Sequence, residues 1–278
     1  MTGPASGTIL RFDQVSLRFE PDEAPALDSV TFHLDAGDSC VILGSAGSGK
    51  TVLLKCALGL LRPDSGCVRL FGEDITAMSE KRLYSLRARV GILFQEGGLF
   101  DSLTIEENVS YPLLNQPEIN CAPEEVHPRV VSALQFVELG HTLDKFPSEL
   151  SGGMRRRVGI ARANVTEPAL VLYDSPTAGL DPITAHTIMA LILKERDTRN
   201  TTTVMVTHRY QDGYLLANYR YNQETGRVEA ARTDGPKNGS HTRYLVLQAG
   251  RLVFEGSQRE LEAATDPYVT KFVKRVGG

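Results

Sequence analysis

The chain has 278 residues, of which 41% are hydrophobic and 23% charged, and a net charge of -4. That is material for one large α/β domain or two small ones with a sizeable core, and the mildly acidic balance excludes a non-specific nucleic-acid binder. The most apolar run, residues 187–193, falls far short of the ~20 residues that cross a bilayer, so membrane work would pass through a partner.

Residues 1–8 are small and polar, with no basic-then-apolar leader. Residues 10–19 alternate as a strand, and 29–34 form a second after an acidic, proline-bearing loop. A turn at 35–38 precedes a continuous apolar strand, 39–44, which runs into glycine. Residues 50–61 carry helical spacing, and the turn RPDSG introduces a strand at 67–72. A helix is predicted over 79–89 and a buried strand over 90–94. From 97 to 158 the strand signal gives way to helical pieces at 104–111, 124–139 and 153–163. Strands return at 169–174 and 202–208, separated by a helix over 183–197; this alternation predicts a parallel sheet with crossover helices. A polar stretch over 221–242 reads as an exposed loop or short hairpin. A hairpin over 244–256 and one short helix over 261–274 complete the chain. The cysteines Cys40, Cys56, Cys67 and Cys121 lack paired or metal-like spacing and read as reduced, buried thiols.

Three stretches carry chemistry. GSAGSGKT has phosphate-loop spacing and sits between a strand and a helix. Gly44, Gly47 and Gly49, with Ser45, Ala46 and Ser48, let backbone N–H groups converge on phosphate oxygens, and the helix start adds positive potential. Lys50 supplies a point charge for the outer phosphates, and the Thr51 hydroxyl suits Mg2+. LVLYD ends on Asp174, a carboxylate able to reach the same metal. LSGGMRRRVGIARA sets Ser151, Gly152 and Gly153 before a helix, a second anion-binding start without its own lysine.

Two such helix starts in one chain resemble the ATP-binding cassette (ABC) ATPases. The resemblance spans about residues 10–256 and implies a RecA-like α/β P-loop NTPase core with an N-terminal antiparallel β subdomain and an inserted helical subdomain. It implies one nucleotide-binding domain over 8–257, with the helical subdomain near 97–158, a polar insertion near 221–242 and a C-terminal helix or tail over 258–278. ATP would lie between two copies, on the phosphate loop of one and the Ser151–Gly152–Gly153 segment of the other. Gln95 would join Thr51 and Asp174 at Mg2+, His208 would bond the γ-phosphate, Asp181 would close the segment that begins at Ala178, and Phe19 would stack on adenine. Residues 96–113 and LSGGM, in place of the commoner LSGGQ, look like the ATPases of lipid transporters that work with mammalian-cell-entry (MCE) proteins. That likeness implies a separate membrane permease as direct partner, an MCE-type lipid-binding protein as indirect partner, no nucleic acid, and a place on the cytoplasmic face of the membrane.

The sequence departs from that family at Ser175, where the family carries the glutamate that positions the attacking water. A serine hydroxyl cannot take a proton at neutral pH, and loss of a positioned base costs roughly 10²–10⁴ in rate. Nucleotide binding does not depend on it. Three accounts stay open: a slow ATPase leaning on His208 and Gln95, rescue by Glu96 or Asp181, or a nucleotide-gated clamp with little turnover.

Overall fold

The structure, a computed structural model, describes residues 7–95, 97–231 and 241–273. Strand β1 (Thr8–Leu17) pairs antiparallel with β2 (Leu27–Asp35). Next come β3 (Ser39–Leu43), helix α1 (Lys50–Ala57), β4 (Ser65–Leu70), β5 (Glu73–Asp74), α2 (Glu80–Arg87) and β6 (Val90–Leu93). A helical excursion follows: α3 (Ile105–Asn115), α4 (Pro123–Phe136) and α5 (Gly152–Asn164). The chain re-enters the sheet with β7 (Leu170–Asp174), α6 (Pro182–Arg199) and β8 (Thr202–Thr207), then α7 (Tyr210–Asn218). It ends with β9 (Tyr219–Asn222), β10 (Arg227–Ala230), β11 (Thr242–Gln248), β12 (Arg251–Gly256), α8 (Gln258–Glu262) and α9 (Pro267–Val273).

The main sheet has six strands in the order β12-β11-β3-β8-β7-β6, parallel except for the β11–β12 hairpin at one edge. β1, β2, β4 and β5 form a separate four-stranded antiparallel sheet. Every residue of β3, β7 and β8 is buried, as a strand covered on both faces requires. Alternate side chains therefore enter two different cores. Val41, Leu43, Val171, Tyr173 and Met205 meet the face carrying α3 to α6, while Cys40, Ile42, Leu170, Leu172 and Val204 meet the antiparallel sheet and α1.

Local chemistry sets the helix ends. Thr104 and Glu107 exchange side-chain and backbone hydrogen bonds at the start of α3, the reciprocal capping that leaves fewer orphan N–H groups. Asp181 caps α6 by accepting from the N–H groups of Ile183 and Thr184.

One expectation is corrected, and two elements are defined beyond the sequence reading. The single C-terminal helix expected over 261–274 is two short helices, because Pro267 cannot continue a turn and instead opens the second. The short hairpin allowed within the polar stretch is present as the β9–β10 ribbon, which packs on α6 instead of standing free; residues 232–240 lie outside the described residues. Helix α7, which carries polar residues among its apolar ones, was not anticipated. Of the cysteines, Cys40 and Cys56 are buried and Cys67 and Cys121 half-buried, all free; burial pushes the Cys40 thiol up to about 12. Among the described residues no helix is long and apolar enough to cross a membrane.

Candidate nucleotide and metal site

The strand order places the ends of β3, β8, β7 and β6 side by side, and each end leads into one piece of the site. The phosphate loop follows β3, His208 follows β8, Asp174 closes β7, and Gln95 follows β6. The crevice at the carboxyl ends of parallel strands is where open α/β sheets bind ligands. Here it is a cleft of about 560 Å³ whose walls include Lys50, Thr51, Gln95, Ser175 and His208.

The phosphate loop is held open by glycine. Gly49 has φ +102°, and a Cβ there would lie 2.3 Å from the Ala26 carbonyl oxygen, so a side chain is excluded sterically and conformationally. At Gly47, φ +75°, nothing lies within 4 Å of that position, which leaves room for a phosphate to approach the backbone. The Lys50 ammonium donates to Gly44 O at 2.9 Å, Ser45 O at 2.7 Å and Ser48 Oγ at 3.3 Å, three protons on three acceptors. Burial holds its pKa below the ordinary lysine value, against the opposing pull of Asp174. The amine is thus parked over its own loop, ready to exchange carbonyls for phosphate oxygens.

Thr51 Oγ1 donates to Asp174 Oδ2 at 2.9 Å. A hydroxyl and a carboxylate are hard oxygen donors, and Mg2+ takes few protein ligands while keeping waters and substrate phosphates. The pair fits that ion. Among the described residues no cluster of three or more His, Cys, Asp or Glu offers a dedicated metal cage.

Ser175 is 8% exposed and has φ +47°, a left-handed conformation costly for a non-glycine residue. The surroundings hold it there. Ser175 N–H donates to Val206 O, and Arg156, buried beneath, donates to the carbonyls of Ser175, Pro176 and Ala178. Below the same turn, the buried Asp212 accepts on one oxygen from Thr177 Oγ1 at 2.6 Å and Thr207 Oγ1 at 2.9 Å. One carboxylate therefore ties the segment after Ser175 to the strand end that carries His208. Burial raises the Asp212 pKa, and the two hydroxyls act against that rise.

Other candidate residues lie apart. Ser151 caps α5 by accepting from Met154 N–H, and Gly152 lines a different cleft with Arg155, Gly179 and Leu180. The phosphate loop and the Ser151–Gly153 segment are not brought together within one chain. Phe19 stands 57% exposed beyond the end of β1, whereas Ser45 and Ala46 belong with the phosphate cleft, whose wall they share with Lys50 and Thr51. The Asp181 carboxyl is committed to capping; Thr184, through its side chain and then its backbone N–H, holds its pKa below the usual range. It is engaged as a cap rather than poised as a base. Glu96 lies outside the described residues.

Arg156, Thr177 and Asp212 were missed by sequence reasoning. Arg156 sat in plain view among the basic residues of MRRRVGIAR, but nothing in one sequence tells the buried arginine from its half-buried neighbours.

A family model described as ABC transporter matches residues 27–178. The chain is 41% identical over 252 residues to "Probable ribonucleotide transport ATP-binding protein mkl" of Mycobacterium leprae, covering 90% of this chain and 65% of that protein. It is 34% identical over 271 residues to "Methionine import ATP-binding protein MetN" of Bifidobacterium longum, covering 96% of this chain and 61% of that one. The chain thus spans less than two thirds of the length of these curated relatives. Among solved structures, it resembles the dimeric ATP-binding cassette MJ0796 bound to ADP and Pi, with TM-score 0.73 and 27% identity over 90% of this chain and 98% of the other. It also resembles cbiO1 from Clostridium perfringens, part of the cbiONQ transporter complex, with TM-score 0.75 and 27% identity over 96% of this chain and 93% of that one.

Proposed function

This chain belongs to the ABC transporter family, and on that premise we propose that it is the ATP-binding and hydrolysing subunit of a transporter whose membrane permease is a separate chain. The observation that carries the reading is the Thr51–Asp174 hydrogen bond beside the parked Lys50, at the foot of one cleft. Lys50 would turn to the outer phosphates, with the open backbone near Gly47 receiving them. Mg2+, when bound, neutralises phosphate charge, and Thr51, Asp174 and Gln95 would hold it. His208, an exposed wall of the cleft, would bond the γ-phosphate from the β8 side.

The separation of the Ser151–Gly153 segment from the phosphate loop supports pairing of two copies, each covering the other's nucleotide with a helix start. Catalysis then waits on dimer closure.

For the transported substrate we favour lipid. The support is the likeness of residues 96–113 and of LSGGM to MCE-associated ATPases, together with an apolar surface on that segment. Phe100 and Tyr111 on that segment and Leu114 beside it are exposed, the two rings meet tilted at 4.8 Å, and the buried Asn108 clamps the Phe100 loop, its amide oxygen accepting from Phe100 N–H and its NH2 donating to Phe100 O. A rigid exposed apolar patch suits a permease surface. The curated relatives carry names for ribonucleotide and methionine transport, so the lipid reading rests on the likeness of residues 96–113 and LSGGM and not on those names.

Ser175 supports a second reading, a nucleotide-gated clamp with little turnover. Phosphate release at saturating MgATP separates the two: turnover above a Lys50→Ala control supports the ATPase, and turnover equal to it supports the clamp. Copurification with a membrane permease subunit, followed by identification of bound lipid, tests the substrate.

A further inference from the structure

Helix α9 lies against the phosphate cleft. Asp266 accepts from the N–H groups of Tyr268 and Val269, which fixes the helix start. Val269 and Phe272 are buried in the core that contains Leu261, Tyr244 and Val246. With those two residues turned inward, Tyr268 and Lys271 face the cleft, one turn apart, and both line it with Phe272.

The Tyr268 hydroxyl bridges two distant parts of the chain. It donates to Leu247 O at 3.2 Å, accepts from Ser45 N–H at 3.1 Å, and meets Ser45 Oγ at 2.9 Å. One donor and two acceptor positions are all a phenol has, so the hydroxyl is saturated by the entry of the phosphate loop and the end of β11. The ring is held from its other side by Phe272, edge-on at 5.4 Å. Beside it the Lys271 ammonium lies 5.6 Å from the Tyr268 ring centre and pairs with no carboxylate among the described residues. The cleft thus presents two lysines, Lys50 from the loop and Lys271 from α9. A nucleoside triphosphate carries more negative charge than one lysine and one divalent cation neutralise.

We propose that α9 completes the nucleotide site: Lys271 supplies a second cation to the polyphosphate, and Tyr268 is the positioning residue that fixes the helix to Ser45. The proposal rests on the reading that this cleft binds MgATP.

The test is titration of the full chain with fluorescent ATP and ADP analogues, in wild type, Lys271→Ala, Lys271→Arg, Tyr268→Phe and the Lys271→Ala/Tyr268→Phe double variant. Lys50→Ala serves as control. A lost charge contact should weaken the ATP analogue about tenfold in Lys271→Ala, weaken the ADP analogue less, and be restored by arginine. Tyr268→Phe keeps the packing of Val269 and Phe272. It should weaken the ATP analogue a few-fold, and by less again in the Lys271→Ala background, because the two act through one helix. If Lys50→Ala loses binding while Lys271→Ala titrates like wild type, α9 is no part of the site. Tighter binding in either α9 variant shows that the helix obstructs the cleft, and also overturns the proposal. A wild-type chain that binds neither analogue overturns the functional reading itself, and that result is visible before any variant is made.

Discussion

The Thr51 hydroxyl and the Asp174 carboxylate meet at 2.9 Å, joining the first turn of α1 to the end of β7 across the middle of the main sheet. Mg2+ would lose a charged oxygen if Asp174 became neutral, while the backbone cradle and Lys50 would remain. Asp174→Asn should lower MgATP turnover by about 10²-fold and raise the Mg2+ concentration for half-activity. ATP binding measured in EDTA should stay as in wild type, and a wild-type Mg2+ titration in this variant would remove Asp174 from the metal site.

Ser175 begins the turn held by Arg156 and by Val206 O. Because that backbone is already over-determined by its neighbours, a longer side chain enters at the same point. Ser175→Glu should raise steady-state phosphate release by about tenfold or more with little change in ATP affinity, since a base acts mainly in the transition state. Unchanged turnover in an already brisk enzyme would assign the base to another group, with Glu96 the first to mutate.

Asp212 joins the strand end before His208 to the segment after Ser175, accepting from both Thr177 and Thr207. Asp212→Ala leaves two buried hydroxyls without their acceptor and should cost roughly 2–4 kcal/mol in urea unfolding. Asp212→Asn retains a carbonyl acceptor and sheds the buried charge, so it should cost much less. Equal losses in the two variants would mean that the two hydroxyls are not what the carboxylate serves.

Glu195 is 1% exposed on α6. Burial raises its pKa from 4.5 to about 7, even though Arg199 Nε lies 3.3 Å away and opposes the rise. The folded value exceeds the unfolded one, so folding favours the protonated acid. That contribution is full below about pH 4.5 and lost as pH rises to about 7, and amounts to about 3 kcal/mol. Glu195→Gln, permanently neutral, should be the more stable protein at pH 8 and lose that advantage at pH 5. Parallel melting curves at the two values would place the titration elsewhere.

The phosphate loop and the Asp174 strand were legible because each is local: a few residues of fixed spacing between recognisable strand and helix patterns. The Ser151 helix start was legible for the same reason. Arg156, Thr177 and Asp212 were not, since their roles arise only when β7 and β8 lie side by side and α5 crosses beneath them. Tyr268 is the extreme case. Its partner Ser45 is 223 positions away, and a tyrosine in a short terminal helix reads as core. The two-helix ending was readable in principle from Pro267, whose ring interrupts the helical pattern. The β9–β10 ribbon was legible only as one of two alternatives, loop or hairpin, because the packing against α6 that orders it is a tertiary contact and leaves no periodicity in the chain.

Strand order also sets a timetable. In the finished sheet β3 pairs with β8 through Ser39 and Thr203, and with β11 through Ser39 and Thr242. Both neighbours are made long after β3 has left the ribosome, and α9 follows later still. Loop closure over such separations is slow. A nascent chain that has exposed the phosphate-loop sequence has neither flanking strand nor the tyrosine that holds Ser45. The earliest-made motif of the site is therefore among the last to take its shape, and a nucleotide can recognise only a chain already made through β11 and α9.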